Sequence, residues 1–375
     1  MAFRIYLSPP DVGVSERESL IDAFDSNWIA PFGPALTKFE SQLSQEIGTH
    51  IVATNSGTAA LHLLLLAYGI GEGDFVLCSN LTFAASVFAI DYVGAKAILV
   101  PSEPSTWNIS PDALEATLQW CKAESIQPKA ILVTHLYGMP ADINAIDSIC
   151  RAQNILVLED AAEALGSQYK EVNCGAFGEG AALSFNGNKI ITTSGGGAVS
   201  SNNQEIVKRV SHLANQAKEP KPYYFHTETG FNYRMSNISA AIGVGQMLHL
   251  QEKIGKKRRI FNTYKEALEP IGFTFQEEKE GAYSNRWLTA AILPKSERLT
   301  PSSLIAILAE NGIESRHLWT PMHQMPLPYL ITPPIDYRTD DYLFEQGICL
   351  PSGTSLTSEE QEEVIQIIKT SYQSL

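Results

Sequence analysis

Cysteine and positive charge are both scarce in this 375-residue chain. The five cysteines, Cys78, Cys121, Cys150, Cys174 and Cys349, are odd in number, widely spread and without a CxxC pair. Neither a disulfide framework nor a zinc site is therefore suggested, no metal is expected, and buried thiols are the natural reading. Lysine and arginine together number 27 against 41 aspartates and glutamates, a net charge of −14. That balance disfavours a nucleic-acid surface, so any anionic ligand must be held locally. The longest apolar run, Ala59 to Ile70, is interrupted by His62 and is too short to span a bilayer. The opening residues Met1 to Pro10 lack the apolar core of a secretory signal, so a soluble, cytoplasmic protein is expected. With 44% hydrophobic and 18% charged residues and no low-complexity tract, the chain reads as ordered and globular. Its length allows two domains.

The familiar catalytic fingerprints are missing as well. No GxxxxGK[ST] occurs, and no GxGxxG follows the first strand; the run Gly175 to Gly180 has the wrong spacing and leads into a strand. P-loop and nicotinamide chemistry are accordingly disfavoured. HExxH and GxSxG are absent too, which removes the commonest zinc-protease and serine-hydrolase readings.

What is present from Thr58 to about Leu158 is an alternation of helical patterns with short apolar runs: helices at 58–68, 84–92, 111–122 and 143–153, strands at 75–78, 97–100, 130–134 and 155–158. Near-continuous apolar strands alternating with helices predict a mainly parallel sheet covered on both faces, with any ligand site along the strand C-termini. Beyond Gln204 the pattern changes. A helix at 205–216, a polar and aromatic stretch at 218–231 and one long helix at 239–268 precede shorter strands at 273–275, 287–292 and 313–317, and helices at 302–310 and 358–371. These predict a large domain over residues 1–250 and a smaller α+β domain over 251–375.

Three segments carry residues suited to chemistry. Asn55 to Leu61 is a small-residue loop opening a helix, which is either an ordinary Ser/Thr cap or an anion cradle using backbone N–H groups. In Ile155 to Glu163 an acidic pair ends a buried strand. Asp160 either caps the next segment or faces a positively charged ligand atom, because an unpaired buried carboxylate is costly. Ser184 to Gly197 places Lys189 between polar and glycine-rich turns and beside apolar Phe185 and Ile190, where partial desolvation would make the amine nucleophilic. A phosphate site, a carboxylate and a lysine are the parts that pyridoxal phosphate requires.

These runs, together with Ser8-Pro9-Pro10, Asn27 to Pro31, Thr82 to Ser86 and Gly230 to Met235, resemble the DegT/DnrJ/StrS family of sugar-nucleotide aminotransferases over essentially the whole chain. The resemblance implies an α/β, fold-type I enzyme that uses pyridoxal phosphate. It implies that Lys189 forms the Schiff base and moves the proton, that Asp160 pairs with the pyridine nitrogen, that Phe83 stacks on the ring and that Glu163 lies near its other face. Gly57, Thr58 and Ser184 would hold the phosphate, and Asn232 would reach the neighbouring subunit's phosphate in a homodimer with shared sites. Asn186 stands where many relatives carry histidine, which leaves its contact with cofactor or substrate open. Relatives that replace the lysine with histidine are dehydratases; this chain keeps Lys189.

The run Asn186 to Gly197, with Ser284 to Leu288, Arg316 to His323 and Gly347 to Thr354, is similar to the branch that makes UDP-4-amino-4,6-dideoxy-N-acetylglucosamine, the bacillosamine precursor. The implied substrates are a UDP-linked keto sugar and L-glutamate, with dTDP- and GDP-linked keto sugars as the alternative. Trp28, Ile29, Arg234, Arg286, Arg316 and His323 are candidate substrate contacts. For the arginines, bidentate binding of phosphate or carboxylate competes with pairing to the chain's own acids, and for His323 a sugar contact competes with a structural role.

Overall fold

The computed structural model describes residues 3–296 and 299–373. Its centre is an eight-stranded sheet in the order His50–Thr54, Gly197–Ser201, Gly180–Ser184, Leu156–Asp160, Ala130–Thr134, Phe75–Ser79, Lys96–Val100 and Leu330–Ile331. All run parallel except Gly197–Ser201, which is antiparallel to both neighbours. The expected mainly parallel sheet is present, and the period of two along each strand shows why both faces are covered. Val76, Cys78 and Leu132 point into one apolar cluster with the helix Gly57–Ala67, while Leu77, Ile131 and Val133 point into another with the helices Pro111–Ala123 and Ile143–Arg151.

Two helices ahead of the first strand, Val14–Asp25 and Pro34–Ile47, complete the fold together with Asn237–Met247. The single long helix expected over 239–268 is instead two, Asn237–Met247 and Leu250–Leu268. Between them the N–H groups of Leu248 and His249 bond three residues back, to Gly245 and Gln246, so the last turn tightens and the axis breaks. Ser110 and Ser236 cap their helices, each hydroxyl accepting from an N–H three residues on.

The C-terminal part forms a second core around an antiparallel sheet in the order Thr274–Phe275, Thr289–Ile292, Gly347–Leu350, Arg316–His317, packed on the helices Leu250–Leu268, Pro301–Glu310 and Ser358–Gln373. Two segments reach from one core to the other. Ile5 packs among Ile260, Phe261 and Leu308, and Leu330–Ile331 returns to the edge of the large sheet. The strand expected at 287–292 begins only at Thr289, because Arg286 sits at φ +53°. All five cysteines are buried and unpaired. Among the described residues, no helix is long and apolar enough to cross a membrane, and no group of three or more His, Cys, Asp or Glu is placed to hold a metal ion.

Candidate active site

Five parallel strands deliver their C-terminal loops to one edge of the sheet, which is where open α/β sheets bind their ligands. After Thr54 the chain turns at Asn55 and Ser56 into the helix Gly57–Ala67, capped by the Ser56 hydroxyl, which accepts from the Ala59 N–H at 3.1 Å. The first N–H groups of that helix, at Gly57 and Thr58, have no acceptor one turn back and face outward from its N-terminus. The backbone here is crowded by design. A Cβ on Gly57 would stand 2.8 Å from the Ser184 Cβ, and one on Gly197 would stand 2.5 Å from the Ser56 carbonyl carbon. Glycine at both places brings the helix start, the end of the strand Gly180–Ser184 and the glycine-rich return close together, beside backbone N–H groups of the kind that bind anions at helix N-termini.

Asp160 ends its strand at 4% exposure. Its carboxylate is not unpaired: the Ser86 hydroxyl donates to one oxygen at 2.6 Å and the Ala162 N–H to the other at 3.2 Å. Thr82 and Thr134 extend this line of hydroxyls behind it. Two hydrogen bonds leave the carboxylate with acceptor capacity for a cationic ligand atom.

Lys189 and Glu163 complete the centre. The Lys189 Nζ lies 3.7 Å from a Glu163 oxygen and 3.9 Å from the centroid of the Trp287 ring. Burial pulls the Lys189 amine below the usual lysine range, against the opposing pull of Glu163 and Asp160. Burial likewise pushes the Glu163 carboxyl well above the usual carboxylate range; Lys189 opposes that rise and Asp160 adds to it. Both shifts favour a neutral amine beside a neutral acid, the form in which the amine is nucleophilic. The other Glu163 oxygen accepts the Tyr137 N–H at 2.6 Å, which fixes the carboxyl in place. Phe83 stands exposed at the rim, its ring centroid 5.6 Å from that of Trp319.

Lys189, Glu163 and the aromatic wall thus come together, with Asp160 and the Gly57–Thr58–Ser184 edge on the same side of the sheet. The exposed Asn186 lies in the Lys189 loop, and its carbonyl accepts the Lys189 N–H at 3.0 Å. Asn232 is exposed, and its carbonyl accepts from the Asn55 side chain at 3.2 Å. Exposed Trp28 and Ile29 lie in the loop between the helices Val14–Asp25 and Pro34–Ile47, where the Trp28 carbonyl accepts from the Asn237 side chain.

The remaining candidates are engaged elsewhere. Arg286 is engaged within the protein. Its guanidinium lies 3.7 Å over the Phe261 ring, donates to the Gln276 carbonyl and stands 3.5 Å from Glu278, all at 5% exposure. Arg234 donates to Glu40 at 2.7 Å and to the Ala53 carbonyl, and Arg316 pairs with Glu314 at 2.6 Å on the surface. All three arginines thus stand beside acids of the chain itself in this structure. His323 is likewise held through both ring nitrogens, Nδ1 by Asn80 at 3.0 Å and Nε2 by Asp341 at 3.0 Å.

Sequence reasoning missed Ser86, Tyr137, Trp287 and Trp319 as parts of the site. A serine three residues after Phe83 on a helix start was a usable signal, and Trp287 and Trp319 lie inside runs already singled out. Tyr137, at φ +54° in a three-residue turn, gave none.

Comparison with known proteins agrees with this geometry. The model of the DegT/DnrJ/EryC1/StrS aminotransferase family matches residues 10–369. EpsN of Bacillus subtilis (strain 168), named for a pyridoxal phosphate-dependent aminotransferase activity, is 44% identical over 373 residues, covering 97% of this chain and 95% of EpsN. A GDP-perosamine synthase of Caulobacter vibrioides is 35% identical over 365 residues, 96% of each chain. A crystal structure of a DegT DnrJ EryC1 StrS aminotransferase from Brucella abortus superposes with a TM-score of 0.88 at 27% identity, covering 95% of both chains. Placed by residues 10–369, by these relatives and by a lysine and two acids at the sheet edge, the chain belongs to the DegT/DnrJ/EryC1/StrS aminotransferase family.

Proposed function

We propose that this enzyme moves the amino group of L-glutamate to C4 of a UDP-linked 4-keto-6-deoxy-N-acetylhexosamine, giving a UDP-4-amino-4,6-dideoxy sugar and 2-oxoglutarate. The observation that carries the amine-transfer part is a largely buried Lys189 held 3.7 Å from Glu163, on the sheet edge where glycines let the start of the helix Gly57–Ala67 approach Ser184. Pyridoxal phosphate supplies, when bound, a conjugated ring that stores the electron pair released at the amino carbon and a carbon that carries the nitrogen. The residues present fit it. The N–H groups of Gly57 and Thr58 and the Ser184 hydroxyl would hold its phosphate, Asp160 would keep its ring nitrogen protonated, and Phe83 would cover one face.

Lys189 is the amine that would hold the cofactor covalently. Its Nζ would act as the proton carrier of both half-reactions, accepting a proton from the amino-donor carbon in the first and delivering one to the sugar carbon in the second. Glu163 stands beside that Nζ and buffers its charge, and Tyr137 and Trp287 exclude water from that side. Lysine at 189 also favours amine transfer over dehydration, since a residue that cannot hold the cofactor covalently would serve only the latter.

The UDP-linked sugar rests on the likeness of the run Asn186 to Gly197 to the bacillosamine branch. The 35% identity to a GDP-perosamine synthase favours a GDP-linked sugar as the second reading. Assaying glutamate with UDP-, dTDP- and GDP-linked 4-keto-6-deoxy sugars, with NMR of the products, separates them. A UDP substrate left untouched beside a converted GDP or dTDP substrate would overturn the first.

The working form in this reading is a homodimer in the cytoplasm. Leu20, Ile21, Phe24, Ile29 and Ile238 line an apolar cleft of about 450 Å³, flanked by exposed Trp28 and Phe32, the kind of surface a second copy would cover. Asn232 would then serve the neighbouring site. Mixing Asn232→Ala with Lys189→Ala protein should restore part of the activity that each lacks, if sites are shared.

A further inference from the structure

Behind the Lys189 loop lies a second buried amine that the reaction does not use. Lys257, in the middle of the helix Leu250–Leu268, is 2% exposed. Its Nζ donates to three neutral oxygens: the Ser8 hydroxyl at 3.1 Å, the Trp287 carbonyl at 2.8 Å and the Ser352 carbonyl at 2.9 Å. Burying a cation among neutral groups is expensive, and an apolar side chain of similar volume commonly does as well for stability alone. The contacts one step further out show what this amine does.

Ser8 and Trp287 converge on one atom, the carbonyl oxygen of Asn188. The Ser8 hydroxyl donates to it at 3.1 Å and the Trp287 Nε1 at 2.6 Å. That carbonyl belongs to the peptide bond joining Asn188 to Lys189. The same Trp287 presents its ring to the Lys189 Nζ at 3.9 Å. On the far side of the loop, the Thr192 N–H donates to the Gln246 side chain at 3.1 Å. One amine therefore fixes both donors that hold the peptide carrying Lys189, and one of those donors also forms the wall against which its amine rests.

We infer that Lys257 is a positioning residue for Lys189, locking the 188–189 peptide through Ser8 and Trp287 and tying the N-terminal segment and the Gly347–Leu350 strand end to the active-site loop. Burial and, to a lesser degree, Lys253 pull the Lys257 amine down to about 7, with Asp11 opposing. Three acceptors make use of all three N–H groups of the charged form. The inference rests on Lys189 being the cofactor-binding lysine.

Three proteins test it: the parent, Lys257→Met, which keeps the volume and removes the donors, and Ser8→Ala, which removes one link at the surface of the cluster. In cofactor-free protein, amide hydrogen exchange across residues 185–193 should rise about tenfold in Lys257→Met and about threefold in Ser8→Ala, with the central strands unchanged. The rate at which added pyridoxal phosphate develops its visible band should fall in the same order. With saturating substrates kcat should drop roughly tenfold in Lys257→Met while KM for glutamate stays put, since misplacing a reacting group by under an ångström costs turnover more than binding.

Parental exchange and capture rates in both variants would overturn the inference, as would a rise in exchange spread evenly over the whole of Lys257→Met. If Lys257→Met does not fold, Ser8→Ala decides alone, parental values counting against the inference. A parent that develops no visible band would instead count against the functional reading, and the exchange data would still judge the clamp.

Discussion

Lys189 and Lys257 are both buried amines, and one carbonyl, that of Asn188, separates their surroundings. The first lies among acids: Glu163 is 3.7 Å away and Asp160 adds its field. Burial lowers its pKa and the two carboxyls oppose that fall, its proton has somewhere to go, and an aromatic wall leaves it a little open. The second lies among neutral oxygens, with every N–H spent on a fixed acceptor. An amine whose proton must move is given a carboxyl partner and room. An amine that must hold still is given three acceptors and none.

This contrast can be broken experimentally. Replacing Lys189 by alanine should lower turnover roughly a thousandfold or more, because the covalent link and the proton carrier are lost together; a glutamate half-reaction followed by loss of the visible band measures it. Asp160→Asn keeps the Ser86 contact but removes the negative charge, and should lower kcat by about a hundredfold with the protein still folded.

The next effect is on stability and comes from Lys257. Its amine titrates near 7 in the folded protein and near the ordinary lysine value of 10.5 when unfolded. Between those values the unfolded chain binds more protons, so the parent gains stability as pH rises above 7, whereas Lys257→Met lacks that gain. Urea unfolding should show the parent gaining on the variant by roughly 2 kcal/mol between pH 7 and 9, and no change in the gap below pH 6. A smaller shift is expected from Glu163→Gln. Glu163 raises the Lys189 pKa, so replacing it should move the pH profile of cofactor capture downward. Least affected is Ser56→Ala, which removes a cap worth about 1 kcal/mol and should lower Tm by a few degrees without changing the pH profile.

Much of this contrast was legible in the sequence, and the reason is local. Lys189, Asp160 and the Gly57 turn each sit in a short run whose residue types state their chemistry, and apolar runs of strand length announce a parallel sheet that brings their loops to one edge. The arginines were harder. A guanidinium in a chain of 41 acids looks the same in sequence whether it meets a phosphate or Glu278, and only the packing of Phe261 over Arg286 decides. The break at Leu248 was hidden because no proline or glycine stands at the junction of the two helices. Lys257 was hidden for a related reason: on a helix rich in lysine and arginine, nothing local separates a solvated amine from one enclosed by Ser8, Trp287 and Ser352. Those partners lie 249, 30 and 95 residues away along the chain, a juxtaposition that the fold alone creates.

The most direct test of the difference between the two lysines is to load the protein with pyridoxal phosphate, reduce it with borohydride and map the modified peptide by mass spectrometry. The account predicts the pyridoxyl mass on Lys189, none on Lys257, and no stable label at either position in Lys189→Ala. Label on Lys257 in the parent, or an unchanged amount fixed in Lys189→Ala, would contradict it.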